Sequence, residues 1–153
     1  MISANDNTTW HTAALADANL TALIAAHAVE AIRDYYNAVP TSGATLVWMP
    51  EVALAKVKSA IDWTSGANGF QTLTATKQNA YLALTADGQP LDATNANIRN
   101  AFGSIFPAAI ATALAAVAQT GATRFQALFV AGGVTSYWGY QVNDVDVQTM
   151  MGW

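Results

Sequence analysis

The chain has 153 residues, of which 53% are hydrophobic and only 10% are charged, and its formal net charge is −4. Because soluble domains usually carry about 25% charged residues, much of this surface must be covered by uncharged side chains or by other subunits. The six basic residues are scattered along the chain, which argues against a nucleic-acid partner, since phosphate binding needs clustered lysine and arginine.

The apolar runs are shorter than the ~20 residues that a membrane-spanning helix needs, so we expect no membrane partner. The first residues lack the basic start and apolar run of a signal peptide. The sequence has no cysteine, which excludes disulfides, thiolate metal sites and cysteine nucleophiles. The length predicts a single domain over residues 1–153, with an N-terminal arm over about 1–16.

Apolar residues at helical spacing predict two helices in the first third of the chain, one capped by Asp17 and one after a kink near His27. Their buried stripes are Leu20, Leu23 and Ile24, and then Val29, Ile32 and Tyr36. Residues 44–49 are rich in β-branched and aromatic side chains and predict a short strand. Pro50 then fits the first turn of the next helix, which is the first of the four described below.

Four helices are predicted in the middle of the chain, separated by turns that contain glycine or proline. Their buried faces are Leu54, Val57 and Ile61; Leu73, Ala80, Tyr81 and Leu84; Ile98, Ala101, Phe102 and Ile105; and Ile110, Leu114 and Val117.

The last third predicts an aromatic helix over 123–130, a strand over 136–142 that pairs with 44–49, and a helix capped by Asn143. The predicted fold class is therefore mainly α, a compact bundle of short helices with a minor two-stranded β ribbon.

Two groups of polar residues permit a metal site but do not favour one. His27, Glu30 and Asp34 share a predicted helix face, yet a metal site needs three or four ligands and no known ligand motif is present. Asp144 and Asp146 lack the glycine and distal glutamate of a calcium loop, and they fit the first turn of a capped helix.

No phosphate-binding glycine loop and no nucleophile elbow occur in the sequence. We therefore expect no enzyme activity, no catalytic residue, no cofactor and no metal.

Aromatic side chains are the best candidates for a binding surface, because they are enriched at the energetic centres of protein interfaces. The predicted interface residues are Trp10, Tyr137, Trp138, Tyr140 and Trp153. For the residues of the predicted strand, core and interface are equally good interpretations, since a strand has two faces.

Several short segments, taken in order, resemble a family of small virion structural proteins of tailed bacteriophages. They are Tyr35-Tyr36-Asn37, Val47-Trp48, Asn97-Ile98-Arg99, Ala122-Thr123-Arg124 leading to Leu128-Phe129, and Asn143-Asp144-Val145. The resemblance implies a non-enzymatic subunit of the neck, tail, fibre-attachment region or head, located in the virion and made in the bacterial host cytoplasm. It implies other virion proteins as partners, and homo-oligomers. Phe125-Gln126 departs from the small residue and acidic residue expected there, which puts any shared role of Arg124 in doubt.

Two other functions compete with this one. The first is a free helical module that binds a peptide or small ligand in an apolar pocket, expected near Trp138 and Tyr140. The second is a hydrolase or lyase with an acid pair, Glu30 or Asp34 with Asp62, which predicts perturbed pKa values in a cleft.

Overall fold

A computed structural model describes residues 2–153, and it confirms the mainly α class with a minor β component, at about 52% helix. Met1 lies outside the described residues. Across residues 2–153 the α-helices are α1 (Ala4–Ala16), α2 (Thr21–Ala25), α3 (Val29–Asn37), α4 (Leu54–Ser59), α5 (Ala75–Leu84), α6 (Ala96–Ile105), α7 (Ala108–Ala118), α8 (Arg124–Ala127) and α9 (Asp144–Met151). The strands are β1 (Leu46–Trp48), β2 (Gln119–Gly121), β3 (Val130–Ala131) and β4 (Val134–Thr135).

The chain forms two compact units. Unit 1 combines residues 2–46 with residues 121–153, and unit 2 is the continuous segment Val47–Thr120. The single domain expected from the length stays a prediction, because two compact units can still unfold together.

Unit 1 has an aromatic core centred on Trp10, whose ring meets the rings of Tyr36 and Phe125 edge-on at 5.2 and 5.0 Å. The segment predicted as an N-terminal arm includes helix α1, which packs into this core rather than extending from it. The hydroxyl of Ser3 caps α1 by accepting a hydrogen bond from the Asp6 backbone N–H at 3.1 Å. The helix lacks a continuous apolar stripe, so only Trp10 and Ala14 are buried.

Unit 2 packs α4, α5, α6 and α7 around a second core. Tyr81 of α5 lies within it and contacts Phe70, Phe102 and Phe106. Trp63 stacks on the edge of this cluster, 5.0 Å from the Phe70 ring.

The predicted strand pairing is wrong. Strand β1 pairs with β2, which follows α7 directly, and β3 pairs with β4 in a short antiparallel hairpin. Residues 136–142 form no strand: Gly139 has a left-handed backbone with φ of 70°, and the backbone of Val142 pairs with the side chain of Asn37 in place of a neighbouring strand. Its amide nitrogen donates to the Val142 carbonyl at 2.9 Å, and its amide oxygen accepts from the Val142 N–H at 2.8 Å.

Several helix boundaries also differ from the predictions. Asp17 ends α1 instead of capping the next helix, and its carboxylate accepts from the Asn19 N–H at 2.9 Å. Helix α4 begins at Leu54, so Pro50 lies outside it. Helix α8 is only four residues long, shorter than the predicted 123–130, and Thr123 is its N-cap.

Candidate functional site

The five predicted interface residues have very different environments. Trp10 is 0% exposed in the core of unit 1 and has no surface to offer a partner, which corrects its assignment to an interface. Tyr137 and Tyr140 are half-buried against Phe125, at 5.0 and 5.6 Å between ring centroids. Trp138 and Trp153 are 41% and 37% exposed. Of the predicted set, these two tryptophans remain available for binding another chain.

The two tyrosines are held by carboxylates of unit 1. The Tyr137 hydroxyl donates to Asp6 and the Tyr140 hydroxyl donates to Asp146, each at 2.7 Å. The hydrogen bond from Tyr137 holds the pKa of Asp6 below its usual value. Burial, together with the hydrogen bond to Asp146, raises the pKa of Tyr140 to about 12. These tyrosines therefore support the fold of unit 1.

Trp153 stacks on His27, with ring centroids 4.2 Å apart and planes only 8° from parallel. His27 adopts a left-handed backbone conformation with φ of 51°, which is uncommon for residues other than glycine. The predicted kink near His27 therefore lies at this residue, between α2 and α3. The stacking leaves part of the Trp153 indole exposed.

Asp17, Tyr35 and Arg124 line a groove of about 300 Å³ in unit 1. The Arg124 guanidinium carbon lies 4.2 Å from the centre of the Tyr35 ring, and its Nη1 donates to the Tyr35 carbonyl at 3.0 Å. The Tyr35 hydroxyl donates to Asp17 at 2.5 Å, and this hydrogen bond raises the pKa of Tyr35. Arg124 therefore ties α8 to the end of α3.

Gln126, which stands where the resemblance implies an acidic residue, uses both ends of its side-chain amide. Its side-chain oxygen accepts from the Thr123 N–H, and its amide nitrogen donates to the Tyr137 carbonyl, both at 3.1 Å. A carboxylate could make the first hydrogen bond but not the second. The glutamine thus serves both as a helix cap and as a buried link to the segment that carries Tyr137.

Unit 2 contains an apolar cavity of about 170 Å³, which opens to the surface. Its wall is formed by apolar side chains of unit 2, including Trp48, Val52, Val57, Ile98, Phe102 and Leu114. Small residues of α6 and α7, Gly103, Ala111, Ala115 and Ala118, complete the lining and leave the space unfilled. The cavity is therefore a candidate site for an apolar ligand.

Arg99 is the charged residue that lines this cavity. Its Nη1 donates to the carbonyls of Ala93 and Thr94, both at 2.7 Å, and its guanidinium carbon lies 5.0 Å from the centre of the Trp48 ring. In residues 2–153 the ion pairs within 4.0 Å are Arg33 with Asp34 and Arg33 with Asp144. Arg99 is therefore held in place without a carboxylate partner.

The carboxylates of Asp144 and Asp146, considered above as calcium ligands, have other contacts. Asp144 pairs with Arg33 at 2.9 Å. Asn143 caps α9 as predicted, and Asp146 returns a hydrogen bond to the Asn143 N–H, at 3.0 and 2.9 Å respectively. Within the described residues, no group of three or more histidine, aspartate or glutamate side chains is placed to hold a metal ion.

The acid pair of the hydrolase hypothesis is divided between the two units. Glu30 and Asp34 belong to unit 1, whereas Asp62 belongs to unit 2. There Asp62 accepts a hydrogen bond from the Thr64 N–H at 2.9 Å, which lowers its pKa. Asp62 therefore serves as a turn-forming residue in its own unit.

The sequence prediction missed the cavity and placed the apolar pocket near Trp138 and Tyr140, neither of which lines it. The sequence contained one indication of the cavity, because Arg99 lies beside the apolar stripe of α6, one residue after Ile98. The position of Trp48 against this arginine could not be inferred, because it depends on how the strand and the helix pack.

None of the helices in residues 2–153 is long and apolar enough to cross a membrane. No protein family, no curated protein and no solved structure matches this chain.

Proposed function

We propose that this protein is a non-enzymatic structural subunit that packs against other protein chains. The observation that carries the proposal is the exposure of Trp138 and Trp153 in a chain with only 10% charged residues. Exposed tryptophan is costly in water and is enriched among residues that dominate binding energy. Trp63 of unit 2 is exposed to the same extent, at 42%, but its indole N–H donates to the Lys58 carbonyl at 2.9 Å and its ring packs against Phe70. We therefore place the proposed interface on unit 1, which contains Trp138 and Trp153.

The specific form of the proposal is a subunit of a tailed-phage virion, in the neck, tail, fibre-attachment region or head. Its support is the ordered set of short motifs, including Tyr35-Tyr36-Asn37 and Asn97-Ile98-Arg99, and the comparisons add no relative to it. The partners would be other virion proteins or further copies of this chain. Mass spectrometry of purified particles of the encoding virus tests this form, because a structural subunit must be present at a constant copy number.

The test of self-association is the solution mass by light scattering at micromolar concentration, for the wild type and for a Trp138→Ser, Trp153→Ser double variant. Tyr140 is left intact because its hydrogen bond to Asp146 supports the fold. Leu82→Ser is the matched control, since Leu82 is an exposed apolar residue, 56% accessible, in unit 2. We expect an oligomer that the tryptophan variant dissociates and the control does not.

Circular dichroism must show that the double variant keeps its helices. A wild-type protein that is monomeric up to high micromolar concentration would refute the homo-oligomer. If Leu82→Ser dissociates the oligomer as strongly as the tryptophan variant, the proposed interface on unit 1 is wrong.

A second candidate function, a binding module for a small ligand, is favoured by the apolar cavity of unit 2. Ligand sites are concave and mostly apolar, with a few polar groups that fix orientation. The cavity has this composition, with Arg99 as its charged group. Binding of small apolar compounds to the purified protein, followed by calorimetry, tests this function.

A further inference from the structure

We propose that the cavity of unit 2 binds a small apolar monocarboxylate, with the apolar group inside the cavity and the carboxylate on the Arg99 guanidinium. The inference rests on the second candidate function and does not depend on self-assembly. It names the class of ligand and the residue that selects it.

The size and lining of the cavity determine the apolar part of the ligand. A cavity of about 170 Å³ is close to the engineered apolar cavities of about 150 Å³ that stay dry and take up benzene. The aromatic face of Phe102 and the aliphatic side chains of Val52 and Leu114 can surround a phenyl ring or a chain of a few carbons.

The contacts of the Arg99 side chain determine the polar part of the ligand. The side chain is half-buried and is fixed by two carbonyl acceptors and by the Trp48 ring. A cation removed from water is costly unless it is paired with a negative charge. Both carbonyl hydrogen bonds come from Nη1, and no acceptor in residues 2–153 bonds Nε or Nη2. The charge is thus positioned but not neutralised by the protein.

The free edge of the guanidinium suits a carboxylate. Nε and Nη2 present two parallel N–H groups, which match the two oxygens of a carboxylate in a bidentate pair. Because Arg99 lines the cavity, a ligand with its apolar group inside has its charged end next to this guanidinium. A neutral compound of the same shape would fill the cavity but leave Arg99 unpaired.

The experiment measures the affinities of two matched pairs of probes by isothermal titration calorimetry. The pairs are benzoate with benzyl alcohol, and hexanoate with hexan-1-ol. We expect each carboxylate to bind about tenfold or more tightly than its alcohol, since a charge-assisted bidentate hydrogen bond replaces a neutral one. Higher salt concentration should weaken the binding of the carboxylate and leave the affinity of the alcohol unchanged.

Three variants locate the site. Arg99→Gln keeps a donor for the backbone carbonyls and should reduce the affinity of benzoate to that of benzyl alcohol. Ala115→Leu fills the cavity and should abolish binding of both probes. Ala116→Leu adds the same atoms at an exposed position of α7 and should change neither affinity.

The results separate the two levels of the proposal. Equal affinities for carboxylate and alcohol in the wild type would overturn the carboxylate assignment while leaving an apolar binding site. The absence of binding by either probe would overturn both the assignment and the second candidate function. The wild-type comparison needs no substitution, so the proposal stays testable if Arg99→Gln fails to fold.

Discussion

Two glycines of unit 2, Gly69 and Gly103, should respond in opposite directions to the same substitution. A Cβ atom at Gly69 would lie 2.0 Å from the Thr64 carbonyl oxygen and 2.7 Å from its carbon, whereas at Gly103 it would meet no atom within 4 Å. The backbone of Gly69 has φ of −72°, which alanine adopts without strain. The predicted difference therefore comes from steric contact alone.

The cost at Gly69 follows from the contacts that must yield. Thr64 is in contact through its backbone and cannot rotate away, so the loop has to open. Opening strains two hydrogen bonds, from the Gly69 N–H to the Gly66 carbonyl at 2.7 Å and from the Phe70 N–H to the Asp62 carbonyl at 2.7 Å. At about 1 kcal/mol each, together with about 1–3 kcal/mol for overpacking, Gly69→Ala should destabilise the protein by roughly 2–4 kcal/mol.

Gly103→Ala should stabilise the protein, because it replaces a flexible residue inside helix α6 where space is open. The expected gain is about 0.5–1 kcal/mol. Equilibrium unfolding in urea, followed by circular dichroism, measures both variants against the wild type. If Gly69→Ala unfolds within about 0.5 kcal/mol of the wild type, the loop around Thr64 does not have the described conformation.

The remaining predictions concern unit 1. Gln126→Glu should cost about 1–3 kcal/mol in urea unfolding at neutral pH, because Gln126 is buried and a carboxylate there cannot donate to the Tyr137 carbonyl; stability equal to the wild type would contradict this. Asn143→Ala should destabilise the protein by about 1 kcal/mol through loss of the α9 cap. Asn143→Asp should keep most of the stability that the cap provides, because aspartate is also a good N-cap residue. The folded pKa of Tyr140, about 12, lies above the value of about 10 in the unfolded chain. Its contribution to stability is therefore complete below pH 10 and is lost as pH rises towards 12. Unfolding followed across this range should show a shallower decline for Tyr140→Phe than for the wild type, and equal slopes would refute the assignment.

The sequence by itself determined the fold class and much of the helical content. Apolar residues at i, i+3 and i+4 are a local pattern, and the stripe of Ile98, Phe102 and Ile105 does correspond to α6. The Asn143 cap was also readable, because the capping residue and its partner Asp146 lie within one turn. Local interactions of this kind are encoded in adjacent residues, so the order of the chain is sufficient to find them.

Tertiary structure decided the pairing of the strands and the place of the candidate sites. The 136–142 segment has the composition of a strand, but Asn37, which is 105 residues away from Val142, takes up its backbone groups. Trp10 sits in a helix without an apolar stripe, and its burial depends on Tyr36 and Phe125 from distant parts of the chain. The cavity beside Arg99 likewise exists because small residues of two helices face the same space. Such features depend on which surfaces meet after folding, and local sequence patterns do not predict which distant segments pack together.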